Sequence, residues 1–179
     1  LFSHTSGMGV DDAPCLSDRI KTLQACAREI LAVPLVAAPG TVFAYGGNSM
    51  HVAGAMAEIA TGETWDDLFI AQMAQPLGMA QTDWTAGATR DGYVRNTNPR
   101  IAGGARSTLD DYGQVMDMLL AGGLHQGRPF LRAETLATMA LDRTVGLVIG
   151  YTPVPGYDFG YGIGQWVEAK DVFGATFRV

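Results

Sequence analysis

Turn-forming residues cut this chain at short intervals, and that punctuation restricts it to short helices and short strands. Pro34, Pro39-Gly40, Gly62, Pro76-Leu77-Gly78 and Gly122-Gly123 each follow an apolar periodicity. Proline there removes a hydrogen-bond donor, and glycine loses more conformational entropy than other residues inside a helix. From Ser17 to about residue 32, Ile20, Leu23, Cys26, Ala27, Ile30 and Leu31 recur at three and four, which predicts an amphipathic helix. Asn48 or Ser49 can cap a second helix carrying Val52, Ala53, Met56, Ile59 and Ala60, closed by Gly62. A third starts at Thr64, with Asp67 placed as in a capping box, and carries Leu68, Phe69 and Met73 to Pro76. Three short helices in succession predict a helical subdomain.

Residues 79–106 are rich in Thr, Asp, Gly and Asn without clear periodicity, as expected of a functional rim. Ser107-Thr108 then cap a helix with an acidic first turn, and Leu109, Tyr112, Val115, Met116, Leu119 and Leu120 predict its buried face. A shorter helix is expected at about 133–141. In 159–168, glycine at alternate positions bares one face of a strand while Phe159, Tyr161 and Ile163 fill the other, a sign of close backbone approach. Residues 172–179 are expected to pair with that strand across Ala169-Lys170-Asp171. The organisation is one partial domain, 1–179, mainly helical over 1–143 and stranded over 144–179.

The segment Pro39 to Asn48 delivers Tyr45 to a corner between a short extended run and a helix. Gly46-Gly47 behind it let a ligand come close to the backbone, and the start of the helix offers free amides. Taken alone, a half-buried core aromatic is the stronger reading of Tyr45. The chemistry that competes with it is narrowed by what is missing. Ten arginines scattered singly in a chain of net charge −6 offer no basic stripe, which argues against nucleic acid as a partner. No apolar run of about 18 residues is present, so there is no membrane segment. His4, His51 and His125 lie far apart and outside any HExxH, and the two cysteines lack metal spacing, so neither a metal nor a cofactor is implied. Cys15 and Cys26 are read as free thiols, one disulfide between them being the alternative. The small-molecule class of partner is left.

Several phrases, in order, resemble the serine beta-lactamases and penicillin-binding-protein-like hydrolases, above all the class C beta-lactamase and esterase branch. Leu1-Phe2-Ser3-His4-Thr5-Ser6-Gly7-Met8 resembles the family's Leu-Leu-Ser-His-Thr-Ser-Gly-Leu. Pro39-Gly40 through Tyr45, with Gly54 behind, resembles its Pro-Gly and Phe-x-Tyr-Ser-Asn segment. Pro76-Leu77-Gly78-Met79 with Thr82, Ala102-Gly103-Gly104-Ala105 with Ser107-Thr108 and Asp110-Asp111, and Tyr161-Gly162-Ile163-Gly164-Gln165-Trp166 resemble three further segments. The resemblance covers nearly the whole chain. It implies an α+β fold, an antiparallel sheet flanked by helices with a helical subdomain, incomplete in this chain. The resemblance is compatible with a periplasmic or secreted protein.

The resemblance also implies an acyl-enzyme mechanism, in which the serine of a Ser-x-x-Lys motif attacks a carbonyl while the lysine and a tyrosine share the proton transfers. Tyr45 occupies the tyrosine position. No Ser-x-x-Lys occurs here: the only lysines, Lys21 and Lys170, are preceded at three residues by Asp18 and Val167. The chain starts mid-phrase at Leu1 and stops in a strand-like run, so both ends read as cuts and the motif is expected in an N-terminal segment needed to complete the site. Gly46 and Gly47 stand where serine and asparagine are expected, unless Asn48 has slipped by one to stand in, and Lys170-Asp171-Val172 occupies roughly the place of the family's last motif. The expected substrate is a small ester, amide or peptide, with antibiotic hydrolysis disfavoured. Candidate binding residues are Gly46, Gly47, Asn48, Trp84, Gly103, Gly104 and Lys170. Trp84 is assigned to a pocket for an apolar group, Trp65 to packing of the third helix, and His4 and His51 to structural roles. A catalytically inactive binding or scaffold module is the competing expectation.

Overall fold

The computed structural model describes residues 1–10, 12–84, 96–156, 159–172 and 175–178, with 169–172 and 175–178 described as backbone only. Helix α1, Leu23–Leu31, starts six residues later than the apolar spacing predicts, with the Thr22 side chain accepting from Ala25 N. The residues before it are drawn into a 3-10 turn, Pro14–Ser17. The carboxamide of Asn98 donates to the carbonyls of Cys15 and Asp18, and a Cys15–Cys26 disulfide fastens the turn to α1. Ile20, assigned to the buried face, is 96% exposed as a result. The cysteines are therefore bonded, not free, because the turn folds back onto the face of α1 that carries Cys26.

Strand β1, Val42–Ala44, leads into α2, Gly47–Thr61, which Gly62 ends in the left-handed conformation. Gly54 lets α2 lie close to its neighbours: a Cβ there would sit 2.6 Å from Ile101 Cγ1 and 3.4 Å from Leu23 Cδ2. Helix α3, Trp65–Phe69, opens as its sequence predicts, Thr64 accepting from Asp67 N. It continues through a π-helical turn, Ile70–Ala74, into α4, Gln75–Leu77, which ends at left-handed Gly78. Leu23, Cys26, Ala27, Ile30, Val52 and Ala55 form one core cluster; Phe69, Ala74, Leu77, Met79 and Met118 form a second.

Helix α5, Leu109–Leu120, begins on the Thr108 cap, and Val115 and Leu119 of its predicted face pack on the second core cluster, but the rest of that face does not turn inward. Leu109 and Leu120 are 87% and 84% exposed, and Tyr112 and Met116 are exposed too, whereas Asp111 and Met118 are buried. The Asp111 carboxylate accepts from Gln81 N and Thr82 Oγ1, and those two bonds set the rotation. Strands β2, Leu124–His125, and β3, Arg128–Pro129, form a hairpin whose turn residues Gln126 and Gly127 both have positive φ. Helix α6, Ala133–Met139, follows.

Strand β4, Val148–Tyr151, pairs parallel to β1, the one departure from an antiparallel arrangement among the described strands. The run 159–168 is itself a hairpin, β5 Gly160–Tyr161 against β6 Trp166–Val167, turning at left-handed Gly164. Strand β7, Ala169–Val172, then pairs with β8, Ala175–Arg178. Two successive hairpins thus replace the single one expected across 169–171. Gly160 and Gly162 do mark close approach, since a Cβ on either would collide with the Asp142 carboxylate or the Met139 carbonyl oxygen.

Candidate active site

The N-terminal segment runs beside residues 36–44, joined by Gly40 N to Thr5 O at 2.7 Å and Val36 N to Gly7 O at 2.8 Å. That places His4 against the end of β1. Three successive amides around Tyr45 are then held: Ala44 N donates to His4 O at 2.9 Å, Tyr45 N to Tyr151 O at 3.1 Å, and Gly46 N to His4 Nδ1 at 3.4 Å. Helix α2 begins directly after, with Gly46 at its N-cap and no side chain capping it. Its first turn carries the positive end of the helix dipole beside the tyrosine.

The two glycines answer to Val10, Asp12 and Leu16, which lie against them. A Cβ on Gly46 would meet Val10 Cα and O at 3.1 Å; one on Gly47 would meet Asp12 Oδ1 at 2.7 Å and Leu16 Cδ2 at 3.0 Å. Asn48 is buried, accepts from Ala13 N and donates to Gly9 O, both at 3.1 Å, and so ties Gly9 and Ala13 to α2 rather than capping the helix.

Rings surround the tyrosine. The Trp166 indole stacks on the Tyr45 ring, the His4 imidazole lies 4.4 Å from it by centroids, and the Tyr161 ring stands edge-on at 6.0 Å. Burial lowers the His4 pKa to about 4. Burial, then the neighbouring Tyr45, pushes Tyr161 up to about 12. Both neighbours are therefore neutral at neutral pH.

These groups border a cleft of about 990 Å³. Tyr45, Gly46 and Gly47 line it together with Trp65, Trp84 and Gly103 and with Tyr151, Tyr161 and Trp166. Trp84 stands edge-on to Trp65 at 5.3 Å and donates from its indole nitrogen to Arg100 O at 3.2 Å. Trp65 thus lines the cleft as well as packing its helix. Arg100 and Asp12 form an ion pair inside the cleft. Arg100 is the only Lys or Arg among the described lining residues. Gly104 lies behind, buried, on a separate pocket of about 190 Å³. Lys170 belongs to β7, opposite Phe177, and its side chain lies outside what is described. His51 is fully buried in α2, its Nε2 2.9 Å from Asn98 Oδ1, and does not reach the cleft. Residues 85–95 of the expected rim lie outside the described residues. Its two flanks are pinned by the Asp83–Arg106 bridge and ion pair.

The sequence model of the family described as Beta-lactamase matches residues 1–177. The chain belongs to the beta-lactamase family. A beta-lactamase candidate from Bacteroides dorei DSM 17855 is similar to this family member at 35% identity, over 95% of this chain and 52% of that one, with a TM-score of 0.75. EstCE1, a hydrolase with promiscuous acyltransferase activity, shares the fold at 23% identity, 93% and 54% coverage and TM-score 0.69. A penicillin-binding protein from Bacillus halodurans does so at 21% identity, 98% and 56% coverage and TM-score 0.68. The chain spans about half the length of these structures. None of the curated proteins searched matches it.

In this beta-lactamase-family chain the sequence reading missed the Asp12–Arg100 pair and the Trp166 stack. Nothing local signals either one, since each joins residues far apart in sequence. His4, expected to be structural, packs its ring against Tyr45, a contact that its place inside the Ser3-His4-Thr5-Ser6-Gly7 phrase could have signalled.

Proposed function

We propose that this chain supplies the tyrosine-bearing half of a serine hydrolase site that cleaves a small ester or amide through an acyl-enzyme. The observation that carries the reading is a single cleft lined by Tyr45, Gly46 and Gly47 at the start of α2 together with Trp84 and Gly103. In this reading a serine hydroxyl adds to the substrate carbonyl carbon and its proton passes to the Tyr45 oxygen. Tyr45 then returns that proton to the departing alcohol or amine as the C–O or C–N bond breaks. Water repeats the sequence on the acyl-serine and restores the hydroxyl. A free phenol has a pKa of about 10 and is a poor base at neutral pH, so the step needs a nearby cation. Arg100 is engaged by Asp12, which assigns that part to the lysine of a Ser-x-x-Lys motif. Residues 1–179 contain no such motif. The ring-lined walls favour an apolar acyl or leaving group.

Gly46-Gly47, which stand where serine and asparagine are expected, favour a second reading: an inactive member that binds in the same cleft. The complete gene product, incubated with p-nitrophenyl butyrate and separately with a penicillin, separates the two. An acyl mass adduct on a serine, with turnover of the ester, supports the hydrolase. No adduct with either reagent overturns it.

A further inference from the structure

We propose that His4 is the positioning residue for Tyr45: its carbonyl oxygen and its imidazole Nδ1 hold the amides on either side of the tyrosine and so set where the phenol points. The inference rests on the reading of Tyr45 as the proton-transfer group. Ala44 N reaches His4 O at 2.9 Å and Gly46 N reaches His4 Nδ1 at 3.4 Å, so one residue brackets the corner from both sides. A bracket of this kind can work only if the imidazole is neutral with its proton on Nε2, because Nδ1 must accept.

His4 departs from ordinary backbone and side-chain preferences in two ways. Its φ is +54°, in the left-handed region that non-glycine residues rarely enter. It is buried, 3% exposed, and its Nε2 has no hydrogen-bond partner among the described residues. A residue whose role was only to fill space would be replaced without loss by glycine or an apolar side chain at such a position. Both costs are instead borne at the one place from which a side chain reaches Gly46 while its own carbonyl reaches Ala44. The surrounding rings fix the imidazole: Tyr45 at 4.4 Å, Tyr161 at 4.8 Å and Phe43 at 6.0 Å. The imidazole lies tilted against the Tyr45 ring, the two planes 40° apart.

The test compares His4→Asn, His4→Gln and Tyr45→Phe in the complete gene product. Asparagine tolerates the left-handed backbone and sets its amide oxygen near the Nδ1 position, whereas glutamine sets it one carbon further, near Nε2. Two quantities are read: hydrogen exchange of the Gly46 amide, which needs no turnover, and kcat and KM on p-nitrophenyl butyrate. His4→Gln is expected to speed Gly46 exchange at least tenfold and lower kcat about thirtyfold, with KM within twofold. His4→Asn is expected to stay within about fivefold of wild type on exchange and kcat. Equal Gly46 exchange in the two His4 variants overturns the bracket. Loss of kcat in Tyr45→Phe alongside wild-type kcat in His4→Gln overturns the positioning role. Wild-type kcat in Tyr45→Phe defeats the reading of Tyr45 instead, and Gly46 exchange still decides the bracket.

Discussion

The indole of Trp166 lies over the phenol of Tyr45 with ring centroids 5.3 Å apart and planes 20° from parallel. Trp166 also meets Tyr161 edge-on at 5.0 Å and Phe43 at 6.1 Å, so one residue of β6 closes a cluster built from β1, β5 and the Tyr45 corner. Its removal deletes a large apolar surface and the stack together. Trp166→Ala is expected to lower unfolding free energy by about 3 kcal/mol, and Trp166→Phe by about 1 kcal/mol, because the smaller ring keeps part of the stack. Urea unfolding of the complete gene product measures both. A smaller loss in Trp166→Ala than in Trp166→Phe would show that the stack contributes nothing.

The Cys15–Cys26 bond closes a loop of sequence separation 11 and anchors the turn whose Leu16 lies against Gly47. Loop closure of this length constrains the unfolded chain by about 3 kcal/mol. Cys15→Ser with Cys26→Ser is expected to cost about that much, and a reductant to produce no further loss in the double variant. Urea unfolding with and without dithiothreitol checks it. Stability of the unsubstituted protein that does not change on reduction would remove the bond from this account.

What could be read from the sequence was the chemistry that acts within one turn of backbone. Thr64 with Asp67, Thr108 with Asp111, and the left-handed Gly62 and Gly78 all form where the residue types require them. What escaped was set by partners far along the chain. The start of α1 is decided by Asn98 taking the Cys15 and Asp18 carbonyls, and the inward face of α5 by Thr82 and Gln81 binding Asp111. The same division runs through the cleft. Tyr45, Gly46, Gly47 and Gly103 belong to the family-like phrases and share one cavity with Trp84 of the rim, while the carboxamide of Asn48 is engaged by Gly9 and Ala13, contacts that no spacing in α2 announces.

Two glycines of one hairpin should respond differently to the same substitution. Gly162 is buried, and a Cβ there would run into the backbone carbonyl of Met139, which has no side-chain freedom to yield. Gly164 has open space around it but a φ of +71°. Gly162→Ala is expected to cost about 3 kcal/mol through overpacking, and Gly164→Ala about 1 kcal/mol through backbone strain alone. Thermal or urea unfolding of the pair orders them. An equal loss would mean that the β5–β6 hairpin shifts as a unit away from α6.

Acid should weaken the fold through two histidines that are buried uncharged. Desolvation by burial lowers the His4 pKa from 6.5 to about 4. Burial also lowers that of His51, opposed by its bond to Asn98 and reinforced by the Arg100 charge. In the unfolded chain each takes up a proton near pH 6.5, which the folded His4 resists down to about pH 4. The unfolded state therefore binds more protons in that window, and stability falls as pH drops from about 6.5 to 4, levelling below it. The titratable side chains against His4 are Tyr45 and Tyr161, the latter pushed up to about 12 by burial and so a neutral phenol in this range. Neither is a carboxylate, so the slope belongs to the imidazole. His4→Asn is expected to flatten the slope of unfolding free energy against pH without abolishing it, His51 supplying the remainder. Urea midpoints taken every half unit from pH 7.5 to pH 4 measure the two slopes. Parallel curves for the variant and the wild type would mean that His4 titrates normally and is not the neutral acceptor that Gly46 requires.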